Sequence, residues 1–153
     1  MTLRIILFLF FNFGALALGG LFTSTGVSSD WYQSLNKAPW TPRGCAFGAA
    51  WTLIMLCFSV YMALLWPKIE NKTLLSSLYL LQLVLNIAWN PIFFHFHHTL
   101  IGLIVISGLT VLMAYFFIGF LSEMKIKSLL ILPYFLWLLI ATSLNAYIWK
   151  YNM

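Results

Sequence analysis

Five long apolar runs make up most of this chain, and none of them contains a charged side chain. Each run is about 20 residues long, the length that an α-helix needs to cross the hydrocarbon core of a bilayer. Backbone groups in lipid must find hydrogen-bond partners within the segment, so such runs fold as helices. The predicted spans are Ile5–Phe22, Cys45–Trp66, Leu74–Phe94, Leu100–Leu121 and Leu129–Trp149. The sequence therefore predicts an all-α integral membrane protein, a five-transmembrane-helix bundle that forms a single domain over residues 1–153.

The composition excludes a soluble fold. The chain is 63% hydrophobic and only 7% charged, so it lacks the polar side chains that would cover a soluble domain of 153 residues. Its net charge of +5 is spread over span ends and forms no basic patch with interleaved aromatic residues. We therefore expect the lipid bilayer as the surroundings of the chain and no nucleic acid partner.

The first span also fits a second interpretation. Arg4, the apolar stretch after it and the run Ala15-Leu16-Ala17 together resemble a cleavable signal peptide. The apolar run continues through Phe22, past the small residues of that cleavage site. This continuation favours a transmembrane helix that is retained.

The basic residues are divided unevenly between the two sides of the predicted bundle. Positively charged residues concentrate on the cytoplasmic side of membrane proteins, so the richer side is expected to face inward. The N-terminal side has five, namely Arg4, Lys68, Lys72, Lys125 and Lys127, and the opposite side has three, namely Lys37, Arg43 and Lys150. The prediction is a multi-pass protein of the bacterial cytoplasmic membrane, with the N-terminus inside and the C-terminus outside.

One polar stretch, residues 23–46, separates the first two spans and is long for a connection in so small a protein. Pro39 and Pro42 fix their own φ angles and push the residues before them toward extended backbone, which makes the stretch stiff. Trp31, Tyr32 and Trp40 are amphipathic rings suited to the boundary between lipid and water. We expect this segment to form a lid over the outer end of the bundle.

The third span bears a stripe of amides. Gln82, Asn86 and Asn90 recur every four residues and therefore share one face of a helix. Amides inside a membrane need partners, and hydrogen bonds to neighbouring helices would satisfy them. The alternative is that the stripe lines a ligand cavity. Two further stripes favour the cavity: Trp137, Ala141 and Asn145 with Tyr134 in the fifth span, and Trp51, Met55, Phe58 and Met62 in the second.

Helix geometry brings these groups to a similar depth. With a rise of 1.5 Å per residue, Trp51, Asn90 and Asn145 all lie within about 9 Å of the outer ends of their helices. Flat rings and a few amides would then surround a cavity beneath the lid, which suits a flat, mostly apolar ligand. The three carboxylates of the chain all fall in polar turns, so acid–base catalysis is not expected.

His95, His97 and His98 occupy the connection between the third and fourth spans. Their spacing offers at most two imidazole ligands, so we expect a polar turn at the interface and no metal site. Cys45 and Cys57 are twelve residues apart along one predicted helix and its entry, too far to form a disulfide with each other. Both are predicted to be packing residues, with a bridge between two chains as the alternative.

Three blocks of residues are specific enough to indicate a family. The first reads Trp31-Tyr32-x-x-Leu35-x-Lys37-x-Pro39-Trp40-x-Pro42, followed by Phe47 and Trp51. The second is Leu85-Asn86-x-x-Trp89-Asn90 with Phe93-Phe94. The third is Leu132-Pro133-Tyr134-x-x-Trp137-x-x-x-Ala141-x-x-Leu144-Asn145. In this order they resemble the translocator protein family, the TspO/MBR or tryptophan-rich sensory proteins, which include the peripheral benzodiazepine receptor.

The resemblance implies a five-helix bundle that forms homodimers and binds porphyrins such as protoporphyrin IX or haem. In animal members it also implies binding of cholesterol and benzodiazepine-type ligands. The porphyrin would be the ligand, and no cofactor is required. The matching positions, with Tyr134 added from its stripe, give the predicted ligand-binding residues: Tyr32, Pro42, Trp51, Asn86, Asn90, Tyr134, Trp137 and Ala141. Near the C-terminus, Leu144, Tyr147 and Lys150 fit the loose pattern proposed for cholesterol contact.

Three functions are compatible with these residues. The first, which the resemblance favours, is a membrane receptor or sensor that holds a porphyrin in the outer half of the bundle. The second is light- and oxygen-dependent degradation of the porphyrin, with Trp51 and Trp137 as catalytic residues that donate electrons. The third is transport of a tetrapyrrole or sterol, against which five unrepeated spans without an intramembrane charge argue. Enzymatic activity therefore stays open, and binding alone is favoured.

Overall fold

The computed structural model describes residues 1–153, and its five long apolar helices confirm the predicted all-α membrane architecture. The helices are α1 (Thr2–Val27), α2 (Asp30–Ser34), α3 (Gly44–Leu65), α4 (Lys72–Asn90), α5 (Thr99–Gly119), α6 (Leu121–Met124) and α7 (Leu132–Tyr151). A π-helical turn, Pro91–His95, extends α4, and a 3-10 helix, Lys125–Ile131, precedes α7. The short helices α2 and α6 lie in connections, and the other five are the spans.

The first span is longer than predicted, since α1 continues to Val27 beyond the expected end at Phe22. Three of the five added residues are polar, and their hydroxyls bond back to helix carbonyls. Thr25 Oγ1, for example, donates to the carbonyl oxygen of Leu21 at 3.2 Å. Such bonds satisfy polar side chains within the helix, so these polar residues did not terminate α1. The connection to α3 is therefore shorter than the predicted 23–46 and runs over residues 28–43.

The lid starts with α2 and is fastened to the end of α7. Ser29 is the N-cap of α2, and its Oγ accepts a hydrogen bond from the backbone N–H three residues later at 3.2 Å. Further along, the backbone N–H of Asn36 donates to Oδ1 of Asn152 at 2.7 Å. Nδ2 of Asn152 donates in return to the carbonyl oxygen of Asn36 at 3.1 Å. These paired bonds hold the lid on the bundle.

Pro91 changes the helix type at the end of α4. Proline has no N–H to donate, so the regular hydrogen-bond ladder cannot continue through it. A π turn forms instead, in which the N–H of Phe96 donates to the carbonyl oxygen of Pro91 at 2.9 Å. His97 then adopts a φ of 57° just before α5 begins. The predicted third span, which ends at Phe94, includes most of this turn.

At the opposite end of the bundle, the chain turns at Lys125, whose φ is 51°. The 3-10 helix that follows passes into α7 at Leu132, three residues after the predicted start of the fifth span at Leu129. Pro133 explains this start, because proline fits the first turn of an α-helix but cannot donate to a turn before it. The C-terminal end at Tyr151 lies two residues beyond the predicted one.

The spans form a closed bundle in which α1 contacts α3 and α4, α5 contacts α4 and α7, and α3 contacts α7. Phe58 of α3 is completely buried at the centre of the core. Its ring lies 6.2 Å from Tyr79 of α4, 5.8 Å from Phe116 of α5 and 5.4 Å from Tyr134 of α7, measured between ring centres. This packing fills the half of the bundle away from the lid.

Buried polar bonds attach α1 to the bundle. Asn12 is completely buried, and its Nδ2 donates to Oγ of Ser59 on α3 at 2.8 Å. Its Oδ1 accepts a hydrogen bond from the hydroxyl of Tyr79 on α4 at 2.9 Å. Polar bonds of this kind hold helices together in lipid, where apolar contact alone gives little preference. The first span is thus an integral part of this fold.

Large apolar side chains cover the outward faces of the spans. The exposed ones include Leu80, Ile104, Val111, Ile118 and Leu136. Such a continuous apolar surface is unfavourable in water and is what lipid requires. The protein is an integral, multi-pass membrane protein.

Candidate ligand-binding site

A cavity of about 660 Å³ lies in the half of the bundle beneath the lid. Residues of α1, α3, α4, α5 and α7 form its walls, and residues of the lid form its cover. Seven of the eight predicted ligand-binding residues line it, namely Tyr32, Pro42, Trp51, Asn86, Asn90, Trp137 and Ala141. Members of the stripes on the second, third and fifth spans therefore meet at one space, while Met55, Phe58, Met62, Gln82 and Asn145 of the same stripes are buried outside its lining.

Aromatic rings form two of the walls. Trp51 belongs to α3 and Trp137 to α7. Phe47, one turn before Trp51, meets the ring of Trp137 edge to face, with ring centres 5.2 Å apart and an angle of 84° between the planes. Trp51 meets the ring of Tyr134 in a similar arrangement at 5.9 Å. These contacts fix the orientation of the indoles, so the walls are pre-formed.

Tyr134, the eighth predicted residue, is completely buried and does not line the cavity. Its hydroxyl accepts hydrogen bonds from Nε2 of Gln82 at 2.9 Å and from Nδ2 of Asn86 at 3.0 Å. Two members of the amide stripe therefore bond to a neighbouring helix, as the interhelical interpretation predicts. Asn86 also lines the cavity, so this residue both bonds to a neighbouring helix and faces the ligand space. Tyr134 acts behind the wall and positions Asn86.

The third amide of the stripe bonds to α1. Thr23 Oγ1 donates to Oδ1 of Asn90 at 2.6 Å, and Nδ2 of Asn90 donates to the carbonyl oxygen of Asn86 at 2.9 Å. The two helices approach closely because Gly19 has no side chain: a Cβ there would lie 2.5 Å from Nδ2 of Asn90. The orientation of the Asn90 amide at the edge of the cavity is therefore fixed.

The lid contributes Lys37, the only charged residue of the lining. Its Nζ lies 4.7 Å from the centre of the Tyr32 ring, a cation–π contact that holds the ammonium group at the lid side of the cavity. Burial raises the pKa of the Tyr32 phenol above its ordinary value. Tyr32 packs in turn on Phe93 and Phe94. The cavity is thus positively charged at its rim and aromatic deeper in the bundle.

Several lining residues are absent from the predicted set. Lys37, Phe47 and Trp89 belong to the family blocks, and that membership is the sequence signal that could have identified them. Thr23 has no comparable signal. Its place in the wall follows from the packing of α1 against Asn90 of α4, which only the folded bundle brings about.

Two indole N–H groups of the lining residues are buried without a hydrogen-bond partner, those of Trp89 and Trp137. A buried donor without an acceptor costs about 1–3 kcal/mol. The polar lining residues on the spans include Thr23, Asn86 and Asn90, so the cavity favours a ligand that is apolar over most of its surface and has a few polar groups.

The residues of the predicted sterol contact lie elsewhere. Leu144 is buried within the bundle, and Tyr147 packs on Trp40 and Tyr151 with ring centres 5.4 Å and 4.3 Å away. Nζ of Lys150 lies 5.4 Å from the centre of the Tyr151 ring. None of the three predicted residues lines the cavity beneath the lid. Sterol contact at this end of α7 stays a prediction.

The turn that contains His95, His97 and His98 packs against the lid. The imidazole of His97 stacks on the indole of Trp31 with ring centres 4.0 Å apart and planes 17° from parallel. Trp31 also meets Phe93 of the π turn at 5.6 Å. No three His, Cys, Asp or Glu side chains lie close enough together to hold a metal ion. Cys45 is exposed and Cys57 is half-buried, both as free thiols.

Comparison with known proteins identifies relatives over the whole bundle. The chain matches the model of the TspO/MBR family over residues 5–150. It is 32% identical to the tryptophan-rich protein TspO of Archaeoglobus fulgidus over 135 residues, which cover 88% of this chain and 87% of the relative. It is 29% identical to the tryptophan-rich sensory protein of Cereibacter sphaeroides, with 85% of this chain and 84% of the relative covered. The translocator protein of Homo sapiens is 29% identical, with 83% and 78% covered.

Proposed function

Because this chain belongs to the TspO/MBR family of membrane proteins, we propose that it is a receptor or sensor for a porphyrin such as protoporphyrin IX or haem. The cavity beneath the lid would be the binding site. The flat macrocycle would lie against the indoles of Trp51 and Trp137, where stacking and apolar burial favour it. Its acidic groups would face the rim.

The observation that carries this proposal is the arrangement of charge and aromatic rings along the depth of the cavity. Lys37 supplies one positive charge at the lid, and Phe47, Trp51 and Trp137 supply aromatic walls below it. A molecule with a flat apolar body and carboxylates along one edge matches both parts in a single orientation. A neutral sterol would match only the deeper part, and Lys37 would contribute nothing to its binding.

The size of the cavity supports the same class of ligand. A volume of about 660 Å³ falls within the range of roughly 300–1,000 Å³ that small-molecule sites occupy. The lining contains no carboxylate and no imidazole, and its titratable side chains are Tyr32 and Lys37 of the lid, so the site is suited to binding.

One observation favours a second candidate function, the light-dependent degradation of the bound porphyrin by oxygen. Trp51 and Trp137 line the same cavity, so both indoles would lie beside the excited macrocycle. They would act as electron donors, a role that needs no acid–base group.

Titration of the purified protein with protoporphyrin IX in the dark tests the first proposal. We expect saturable binding at one site per chain, followed by porphyrin absorbance and by quenching of tryptophan fluorescence. Ala141→Phe places a ring in the cavity and should abolish binding, whereas Gly108→Phe on α5, where the backbone has open space beside it, should not. Thermal unfolding checks that both variants fold. Binding that is non-saturable, or equal in the two folded variants, contradicts the proposal.

The same samples then test the second candidate. Bound porphyrin is illuminated in air, and its bleaching per absorbed photon is compared with that of free porphyrin in the same detergent. Faster bleaching of the bound fraction supports degradation. Equal or slower bleaching contradicts degradation and indicates that the protein only binds the porphyrin.

A further inference from the structure

A second concavity lies between α1 and α4, at the end of the bundle opposite the lid. Its volume is about 490 Å³, seven of its nine lining residues are hydrophobic, and it shares no residue with the cavity beneath the lid. Leu7 and Leu80 are exposed on its lipid-facing sides. Phe8 is buried against it, with its ring 5.0 Å from Tyr79 and 6.0 Å from Trp66. The result is an apolar groove that opens sideways toward the bilayer.

The groove runs along both helices for a similar distance. On α1 its lining extends from Arg4 to Phe11, and on α4 from Ser76 to Leu83. At 1.5 Å per residue, each edge is about 10 Å long. A channel of this length and apolar character accommodates part of an acyl chain.

Positive charge lies at the membrane-surface end of the groove. Arg4 is exposed and belongs to the lining. Lys72 lies beside the lining residue Trp66, because its Nζ donates to the carbonyl oxygen of Trp66 and lies 5.6 Å from the centre of that ring. This end of the bundle has five basic residues and two acidic ones. One of the acidic ones, Glu123, already accepts a hydrogen bond from Ser122.

We propose that this groove binds an anionic phospholipid, with its headgroup on Arg4 and Lys72 and one acyl chain along the apolar floor. Cations at the membrane surface attract anionic lipids, and interfacial tryptophans such as Trp66 sit at the level of the headgroups. The groove supplies both parts of the recognition, since its charge selects the headgroup and its concave shape holds the chain.

A second copy of this chain is a less favourable occupant of the same groove. In a two-fold dimer the same patch faces itself, so Arg4 and Lys72 of both copies would be brought to one interface. Like charges in such an interface repel each other. An anionic headgroup neutralises them instead.

Quenching of Trp66 by brominated lipids tests the proposal. The protein is placed in phosphatidylcholine bilayers that contain a small fraction of chain-brominated phosphatidylglycerol or, in parallel, chain-brominated phosphatidylcholine. Subtraction of the Trp66→Phe signal isolates the fluorescence of Trp66. We expect brominated phosphatidylglycerol to reach half-maximal quenching at a lower mole fraction than brominated phosphatidylcholine. The difference should be about five-fold for each cation that contacts the headgroup.

Charge variants complete the test. Arg4→Gln and Lys72→Gln should each reduce the preference for phosphatidylglycerol, while Arg43→Gln, which removes an exposed cation at the opposite end of the bundle, should not. Thermal unfolding confirms that each variant is folded. Equal quenching by the two brominated lipids, or a preference that survives both Arg4→Gln and Lys72→Gln, overturns the proposal. Protection of Trp66 from both lipids in a sample whose mass is that of a dimer overturns it in favour of a second copy.

Discussion

The hydroxyl of Tyr134 lies 3.0 Å from Nδ2 of Asn86 and joins α7 to α4 directly behind the wall of the cavity. The same oxygen accepts a hydrogen bond from Gln82, so one buried phenol holds two amides of the stripe. Because the amide of Asn86 lines the cavity, its orientation toward a ligand depends on a residue that the ligand does not reach.

Tyr134→Phe should therefore lower both stability and affinity. Loss of the hydroxyl leaves two buried amide donors unsatisfied, which costs about 1–3 kcal/mol each before relaxation. Thermal unfolding in detergent measures the first effect, and porphyrin titration of the folded variant measures the second. Tyr115→Phe is the control, since Tyr115 is exposed on α5. Equal unfolding temperatures for the two variants would show that the hydrogen bonds of the Tyr134 hydroxyl do not stabilise the bundle.

Gly19→Ala tests the close approach of α1 to α4. The added Cβ would lie 2.5 Å from Nδ2 of Asn90, so the helices must separate and strain the bond from Thr23 to Asn90. We expect a loss of about 1–3 kcal/mol in the free energy of unfolding, as for other overpacked sites. Gly14→Ala on the same helix meets no atom within 4 Å. It should be neutral or slightly stabilising, because alanine favours helix. Similar stability of both variants contradicts the close-packing argument.

Lys37→Gln tests the charge at the rim of the cavity. If the ammonium group contacts a porphyrin carboxylate near the membrane surface, its removal should weaken binding of protoporphyrin IX by about 0.2–1 kcal/mol. Binding of the dimethyl ester, which has no carboxylate, should not change. Arg43→Gln removes a nearby exposed cation that does not line the cavity and serves as the control. An equal loss of affinity for acid and ester would indicate a steric effect of the lid.

Trp51→Phe and Trp137→Phe separate binding from photochemistry. Each variant keeps an apolar ring, so porphyrin affinity should fall only by about 0.5–1.5 kcal/mol, the contribution of an aromatic pair. Light-dependent bleaching at matched occupancy should fall much further, because phenylalanine is a poorer electron donor than indole. Trp149→Phe, outside the lining, is the control. Bleaching at the parental rate in both variants would exclude a reactive role for these indoles.

The orientation in the membrane is tested by single cysteines in intact cells. Cys45 is exposed at the lid end and would itself react, so both native cysteines are first replaced by alanine. The excess of basic residues on the N-terminal side predicts that an impermeant thiol reagent labels cysteines at Ser34 and Asn152. A cysteine at Asn71 should be labelled only after the membrane is permeabilised. The reverse pattern would invert the orientation.

The family resemblance supplied the predicted ligand-binding residues, seven of which line the cavity. The sequence alone was sufficient for the number of spans and for which side chains share a helix face. These features are local: length and apolarity specify a span, and a spacing of four places side chains on one helix face. The ends of the helices were harder to predict. The hydroxyls of the last turn of α1 bond within the helix, and Pro91 starts a π turn where composition predicts a continuous span.

The sequence by itself determined which side chains share a helix face, because that depends only on the periodicity of the backbone. The tertiary structure alone decided how far each face is rotated toward the cavity. Tyr134 and Trp137 belong to the same stripe, yet Tyr134 is completely buried between helices and only Trp137 lines the cavity. Thr23 enters the wall for the same reason, since Gly19 lets α1 approach Asn90. Rotation and approach are set by side chains distant in sequence that pack simultaneously, and no periodicity within one helix specifies them.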